Sequence, residues 1–210
     1  MATDRLSIYN GALRKLQERK LGSLTENREP RRLLDDVWDA GAIDACLEAG
    51  QWTFATRKVQ IDFSAPVEPE FGFDYAFEPP DDFIRLVGIS TTGEMTRPAE
   101  RYEFTGGLIF CNSQSIYISY VSNDPAYGND YSLWPESFSD FVEYYFAYEI
   151  APRLTTSESK VENLGRKKDN ALTEALSVDA QRLPSKNPPL GSWASARLLG
   201  RGIGRNYHGY

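Results

Sequence analysis

The spacing of apolar residues changes period twice along the chain, and that double change constrains the fold most. Leu6, Tyr9, Leu13 and Leu16 recur at intervals of three and four, so residues 3–19 should form a helix with one apolar face. Thr3 reads as its N-cap and Gly22 lies just beyond its end. A second helix should start near Pro30, a residue suited to a first turn. Its stripe is Leu33, Leu34, Val37, Trp38, Gly41 and Ala45, with Gly50 as the C′ residue.

From Trp52 the period shortens toward two. Residues 52–63 alternate in part through Phe54, Val59, Ile61 and Phe63 and predict a strand. Further strands are expected at residues 75–78, 83–90, 101–104, 108–111 and 115–121. Thr105-Gly106-Gly107 is a hairpin signal. Pro79-Pro80-Asp81-Asp82 must turn, because consecutive prolines give a ladder no donors. After a polar loop at 123–134 the helical period returns. One helix starts at Pro135 and is ended or kinked at Pro152. Thr155-Thr156-Ser157-Glu158 reads as a capping box, and the helix after it should reach about Arg182 on a thin stripe of Val161, Leu164, Leu172 and Ala175.

The expected class is therefore α+β: an antiparallel helical bundle from residues 1–51 and 135–184, an inserted antiparallel β domain at 52–134, and an extended C-terminal arm at 185–210. At 210 residues with 41% hydrophobic and 25% charged residues, the chain is long enough and apolar enough for a core without staples. Two cysteines, Cys46 and Cys111, make no disulfide framework and read as small apolar fillers. No apolar run approaches a membrane span, and the first residues lack the apolar core of a signal peptide. The net charge of -7 argues against a protein that grips nucleic acid. That charge is uneven. Residues 185–210 hold Lys186, Arg197, Arg201 and Arg205 and neither Asp nor Glu, so they carry +4 and the rest of the chain −11.

Chemistry is sparse. His208, the single histidine, is the third residue from the end of the sequence, between Tyr207 and Gly209, a poor place for a catalytic base. No Cys/His cluster suggests zinc, no calcium loop is present, and no metal or cofactor is expected. Asp35-Asp36 and Glu68/Glu70 could in principle form an acid/base pair but read as structural or solvated acids, and Asp81-Asp82 as a turn cap. Gly200-Arg201-Gly202-Ile203-Gly204 lacks the ending of a phosphate loop. The aromatic run Phe138, Phe141, Tyr144, Tyr145 and Tyr148 covers a wide arc of one helix and is expected to serve as core, as a subunit interface, or as both. The arm places Leu190, Trp193, Arg197, Leu198, Arg201 and Arg205 among small residues, the composition of a segment that orders on a partner.

Several stretches stand in a recognisable order: Tyr9-Asn10-Gly11-Ala12-Leu13-Arg14-Lys15-Leu16, Ser23-Leu24-Thr25-Glu26-Asn27 and Trp52-Thr53-Phe54-Ala55-Thr56-Arg57. After them come residues 75–86 (YAFEPPDDFIRL), 120–125 (YVSNDP), 134–138 (WPESF) and 151–155 (APRLT). Together they resemble the tail tubular protein A family of short-tailed bacteriophages. Pro79 departs from the family's more frequent leucine, and the arm matches no motif. The resemblance implies a non-enzymatic head-to-tail adaptor, a helical bundle with a β-sandwich-like domain. It also implies a dodecameric ring between the portal protein and the tail nozzle protein, in the virion tail after assembly in the host cytoplasm. DNA would pass through its channel unbound, and an acidic channel wall would let phosphate slide. Portal docking falls to the arm. A head-completion connector of a long-tailed phage and a glycan-binding or hydrolytic tail component are the other classes left open.

Overall fold

A computed structural model describes residues 4–69, 72–95 and 101–182. Within them run five helices and six strands in the order α1 (Arg5–Leu16), α2 (Glu29–Asp39), α3 (Ala42–Glu48), β1 (Thr56–Asp62), β2 (Tyr75–Phe77), β3 (Phe83–Ser90), β4 (Tyr102–Thr105), β5 (Leu108–Cys111), β6 (Ser115–Ser122), α4 (Glu136–Leu154) and α5 (Glu158–Arg182). The class is α+β with antiparallel sheets.

The helix ends differ from the sequence reading in instructive ways. Asp4 caps α1, its carboxylate accepting from the Ser7 amide at 2.7 Å, while Thr3 lies outside the described residues. The helix stops at Gln17, which takes the left-handed conformation (φ 63°) well before Gly22. The expected single helix after Pro30 is two. Gly41 adopts φ 86° and breaks it, so it belongs to a corner and not to an apolar stripe. A side chain there would meet nothing within 4 Å, so conformation and not space requires the glycine. Gly50 comes after the end of α3 as expected but has no left-handed φ. A Cβ there would press on Leu176 at 2.6 Å and Trp52 at 2.9 Å. Pro152 does not end α4, which continues to Leu154. The Thr155–Glu158 capping box is not formed: Thr155 is the C-cap of α4 and accepts from the Ser157 amide, and the Ser157 carbonyl starts α5.

Helix α4 is central. It packs against α1, α2, α3 and α5, so helices from both ends of the chain share one core. Tyr9, Leu13, Leu34, Cys46, Trp52, Phe138, Val142, Phe146 and Ala175 all bury in it. The aromatic rings interlock, Trp52 edge-on to Phe138 at 4.7 Å and Trp134 edge-on to Phe138 at 4.8 Å. Both indoles are satisfied, Trp52 donating to the Cys46 carbonyl and Trp134 to that of Gly128.

Two three-stranded sheets have the orders β1-β6-β3 and β2-β5-β4. The strand expected from Trp52 begins only at Thr56, because Trp52 is drawn into the helical core. The β4–β5 hairpin turns through Gly106 (φ 61°) and Gly107 (φ 80°), the double positive φ of a two-residue turn. The first sheet has two apolar faces. Ile116, Ile118 and Tyr120 of β6 join Phe77, Ile109 and Cys111 of the second sheet in one cluster. Val121 points the other way into the helical core, where Ile84 and Val87 of β3 also pack. Two bulges in β3 make this possible. They bring Phe83, Leu86 and Ile89 to the inter-sheet cluster at intervals of three, where strict alternation would have split them.

Candidate interaction surfaces

Three polar clusters pin the elements together. At the first sheet's helical end, Asp82 accepts from Arg57 Nη1 (3.0 Å), Tyr120 Oη (3.0 Å) and Ser122 Oγ. It therefore ties the starts of β1 and β3 to the end of β6. It does not cap the turn, whose Pro80 carbonyl takes the Phe83 amide. Burial pushes the Asp82 carboxyl up, but the hydrogen bonds from Ser122, Arg57 and Tyr120 outweigh it and hold the carboxyl below its ordinary value of 3.8. Burial, and then the bond to Asp82, pushes the Tyr120 phenol up to about 12.

Asp35 plays the same part between α1 and α2, accepting from Arg5 (2.7 Å), Tyr9 Oη (2.8 Å) and Arg31. Arg5 also lies over the Trp38 ring at 4.7 Å. Between α1 and α4, Glu143 meets Arg14 (3.0 Å) and Lys15 (3.7 Å), and Lys15 also bonds Asp140. Glu143 lies against Gly11, where any Cβ would stand 2.0 Å from its carboxyl carbon. Burial raises the Glu143 carboxyl despite both cations. Each cluster has acid and base in contact across two elements, the geometry of a structural tie.

The aromatic run on α4 divides. Phe138 and Phe141 are buried core. Tyr144, Tyr145 and Tyr148 are half-buried and pack against that core. Tyr144 lies under the Lys15 ammonium at 4.1 Å, and Tyr148 under that of Lys168 at 4.6 Å. The wide apolar arc of α4 is met by four helices of the same chain. Cys46 and Cys111 are buried as expected, and burial pushes the Cys46 thiol far up. Leu190, Trp193, Arg197, Leu198, Arg201, Arg205 and His208 lie outside the described residues.

Two surfaces escape the sequence reading. Strand β4 is an edge strand whose four residues are all exposed. Tyr102 and Phe104 align with Cys111 and Ile109, so they extend the inner face of the second sheet beyond the cover of the first. Phe104 touches Phe83 at 5.6 Å yet stays 43% exposed. The signal was the Tyr-Glu-Phe alternation beside a Gly-Gly turn, which marks a one-faced strand but not an edge. The second surface is a groove of about 400 Å³ between the start of α4 and the end of α5, with Glu136, Asp140 and Glu174 among its lining residues.

Among the described residues no group of three or more His, Cys, Asp or Glu could hold a metal ion, and no helix is long and apolar enough to cross a membrane. A scan against protein-family models finds no match, and a search of curated proteins finds no relative.

Proposed function

We propose that the chain is a structural head-to-tail adaptor of a short-tailed bacteriophage. It would form a dodecameric ring between portal and tail nozzle in the virion tail, around a channel through which DNA passes unbound. In this reading α1–α5 are an antiparallel bundle, the two sheets an inserted β-sandwich-like domain, and residues 185–210 an arm that docks on the portal. The observation that carries it is the joint core of helices from both chain ends with the sheets inserted between them.

The stretches that carry the family resemblance support it, because they supply structural pins. Asn10 both accepts from and donates to the Leu21 backbone. Gly11 admits Glu143, Trp52 seats on Phe138, and Asp82 gathers three strand ends. Such a set specifies one fold more than it specifies a reaction. The ring contact is heterologous, as a closed twelve-fold ring demands.

Electron microscopy of the purified chain mixed with the portal ring of the same virus tests this. A second ring stacked on the portal is expected; a chain that leaves the portal bare at micromolar concentration overturns the reading. Deleting residues 190–210 should keep the body folded and weaken portal attachment, and unchanged attachment would remove the arm from the proposal.

A further inference from the structure

The groove between α4 and α5 is lined by the apolar Pro135, Ala171 and Val178 and by the acids Glu136, Asp140 and Glu174. Asp140 is engaged by Lys15. Glu136 and Glu174 are exposed and make no ion pair among the described residues. Arg182, the last residue of α5, lies on the rim. The described part of the chain therefore ends at the mouth of an acidic groove, and residues 185–210 beyond it carry basic charges alone.

We propose that residues 185–210 fold back and dock in the α4–α5 groove of their own chain. Charge selects this occupant: Lys186, Arg197, Arg201 and Arg205 face no competing acid within the segment, while the groove offers two carboxylates with no described partner. Reach permits it. Glu174 stands about 12 Å from Arg182 along the α5 axis at 1.5 Å per residue, and Lys186 can extend about 13 Å beyond Arg182. Apolar content suits the apolar part of the lining, since Leu190, Trp193 and Leu198 come from the same segment. Tethering favours the chain's own groove over a neighbour's. A short tether gives an effective concentration on the order of millimolar, far above micromolar protein. The docked segment is a parked arm: its cations and Trp193 are held on the body until a stronger partner displaces them. The inference concerns the free chain and does not need the portal.

Trypsin reads the docking directly, because four of its cleavage sites are the basic residues of the segment. The full-length chain is compared with Glu136→Gln/Glu174→Gln and with a control of equal charge change elsewhere on α5, Glu162→Gln/Asp169→Asn. The Arg197–Leu198 cut is timed by mass spectrometry. At low salt the groove variant should be cut about threefold faster or more, as two exposed ion pairs of ordinary strength imply. The control should match the parent, high salt should remove the difference, and the parent's rate should not change on dilution. Equal rates in parent and groove variant would overturn the proposal, as would equal acceleration in the control. Protection that fades on dilution would also overturn it, by placing the segment on a second copy.

Discussion

Replacing Asp82 by alanine tests whether three strand ends are held by one carboxylate. Tyr120 and Ser122 are both fully buried, and each donates its hydroxyl to Asp82. A buried hydroxyl left without its partner costs about 1–3 kcal/mol. Ser122 keeps one bond, since its oxygen also accepts from the Asp124 amide at 3.0 Å, so its loss falls at the low end. Arg57 can turn to water or to Asp124 at 4.0 Å, and it contributes nothing to the sum. Asp82→Ala should therefore cost about 2–4 kcal/mol. The assay is urea unfolding, with the midpoint lowered and the slope unchanged. Tyr120→Phe removes one donor and should cost less. In the double variant the two costs should fall short of additive by about 1 kcal/mol, because the bond they share is lost once. A parent-like midpoint for Asp82→Ala, or full additivity in the cycle, would refute the tie. The pH dependence provides a second check. Because the folded carboxyl sits below its ordinary value of 3.8, its stabilisation is complete above that pH and fades as pH falls through the folded value. The parent should lose this component in acid, and Asp82→Ala should lack it.

Other positions give simpler outcomes. Gly128→Ala drives a Cβ to 2.2 Å from the Ser122 carbonyl oxygen and should cost about 2–4 kcal/mol by calorimetry, from overpacking plus the strained Gly128–Ser122 bond. Gly41→Ala meets no atom and should cost only about 1 kcal/mol, the strain of left-handed backbone, with the fold unchanged by circular dichroism. Trp52→Ala empties the centre of the helical core and should cost about 3–5 kcal/mol, whereas Trp52→Phe keeps most of the packing and strands the Cys46 carbonyl. Glu143 carries a raised carboxyl, so its own contribution runs opposite to that of Asp82: it favours the fold below its ordinary 4.5 and weakens it as pH rises through the folded value. Glu143→Gln should flatten that trend in a pH series of melting temperatures.

Period and punctuation carried much of the fold. The strand at Phe83–Ser90 coincides with the expectation, because a proline turn and a clear change of pattern bound it. The misses share a cause: a local signal was outweighed by a contact distant in sequence. Trp52 opens an alternating run but packs on Phe138, so the strand starts later. Asp82 sits where a turn cap belongs, yet its oxygens face donors on β1 and β6. The bulges in β3 cannot be read from composition, since Phe83, Leu86 and Ile89 at intervals of three are as compatible with a helix as with a bent strand.

The same distinction governs the functional surfaces. A wide aromatic arc on one helix looks like an interface when the helix is read alone. The structure instead surrounds α4 with four partners from its own chain. Burial there reports packing within the chain, with Tyr144, Tyr145 and Tyr148 half-buried against the core. Among the described residues, exposed surface lies elsewhere, on edge strand β4 and along the groove between α4 and α5. Neither could be marked in advance, because each depends on which elements lie side by side in space: β4 is the outer strand of its sheet, and α4 begins beside the last described turns of α5. The uneven charge thus acquires a location. The basic segment begins beside carboxylates that the described fold leaves unpaired, so charges that nearly cancel in the total can be complementary across one groove.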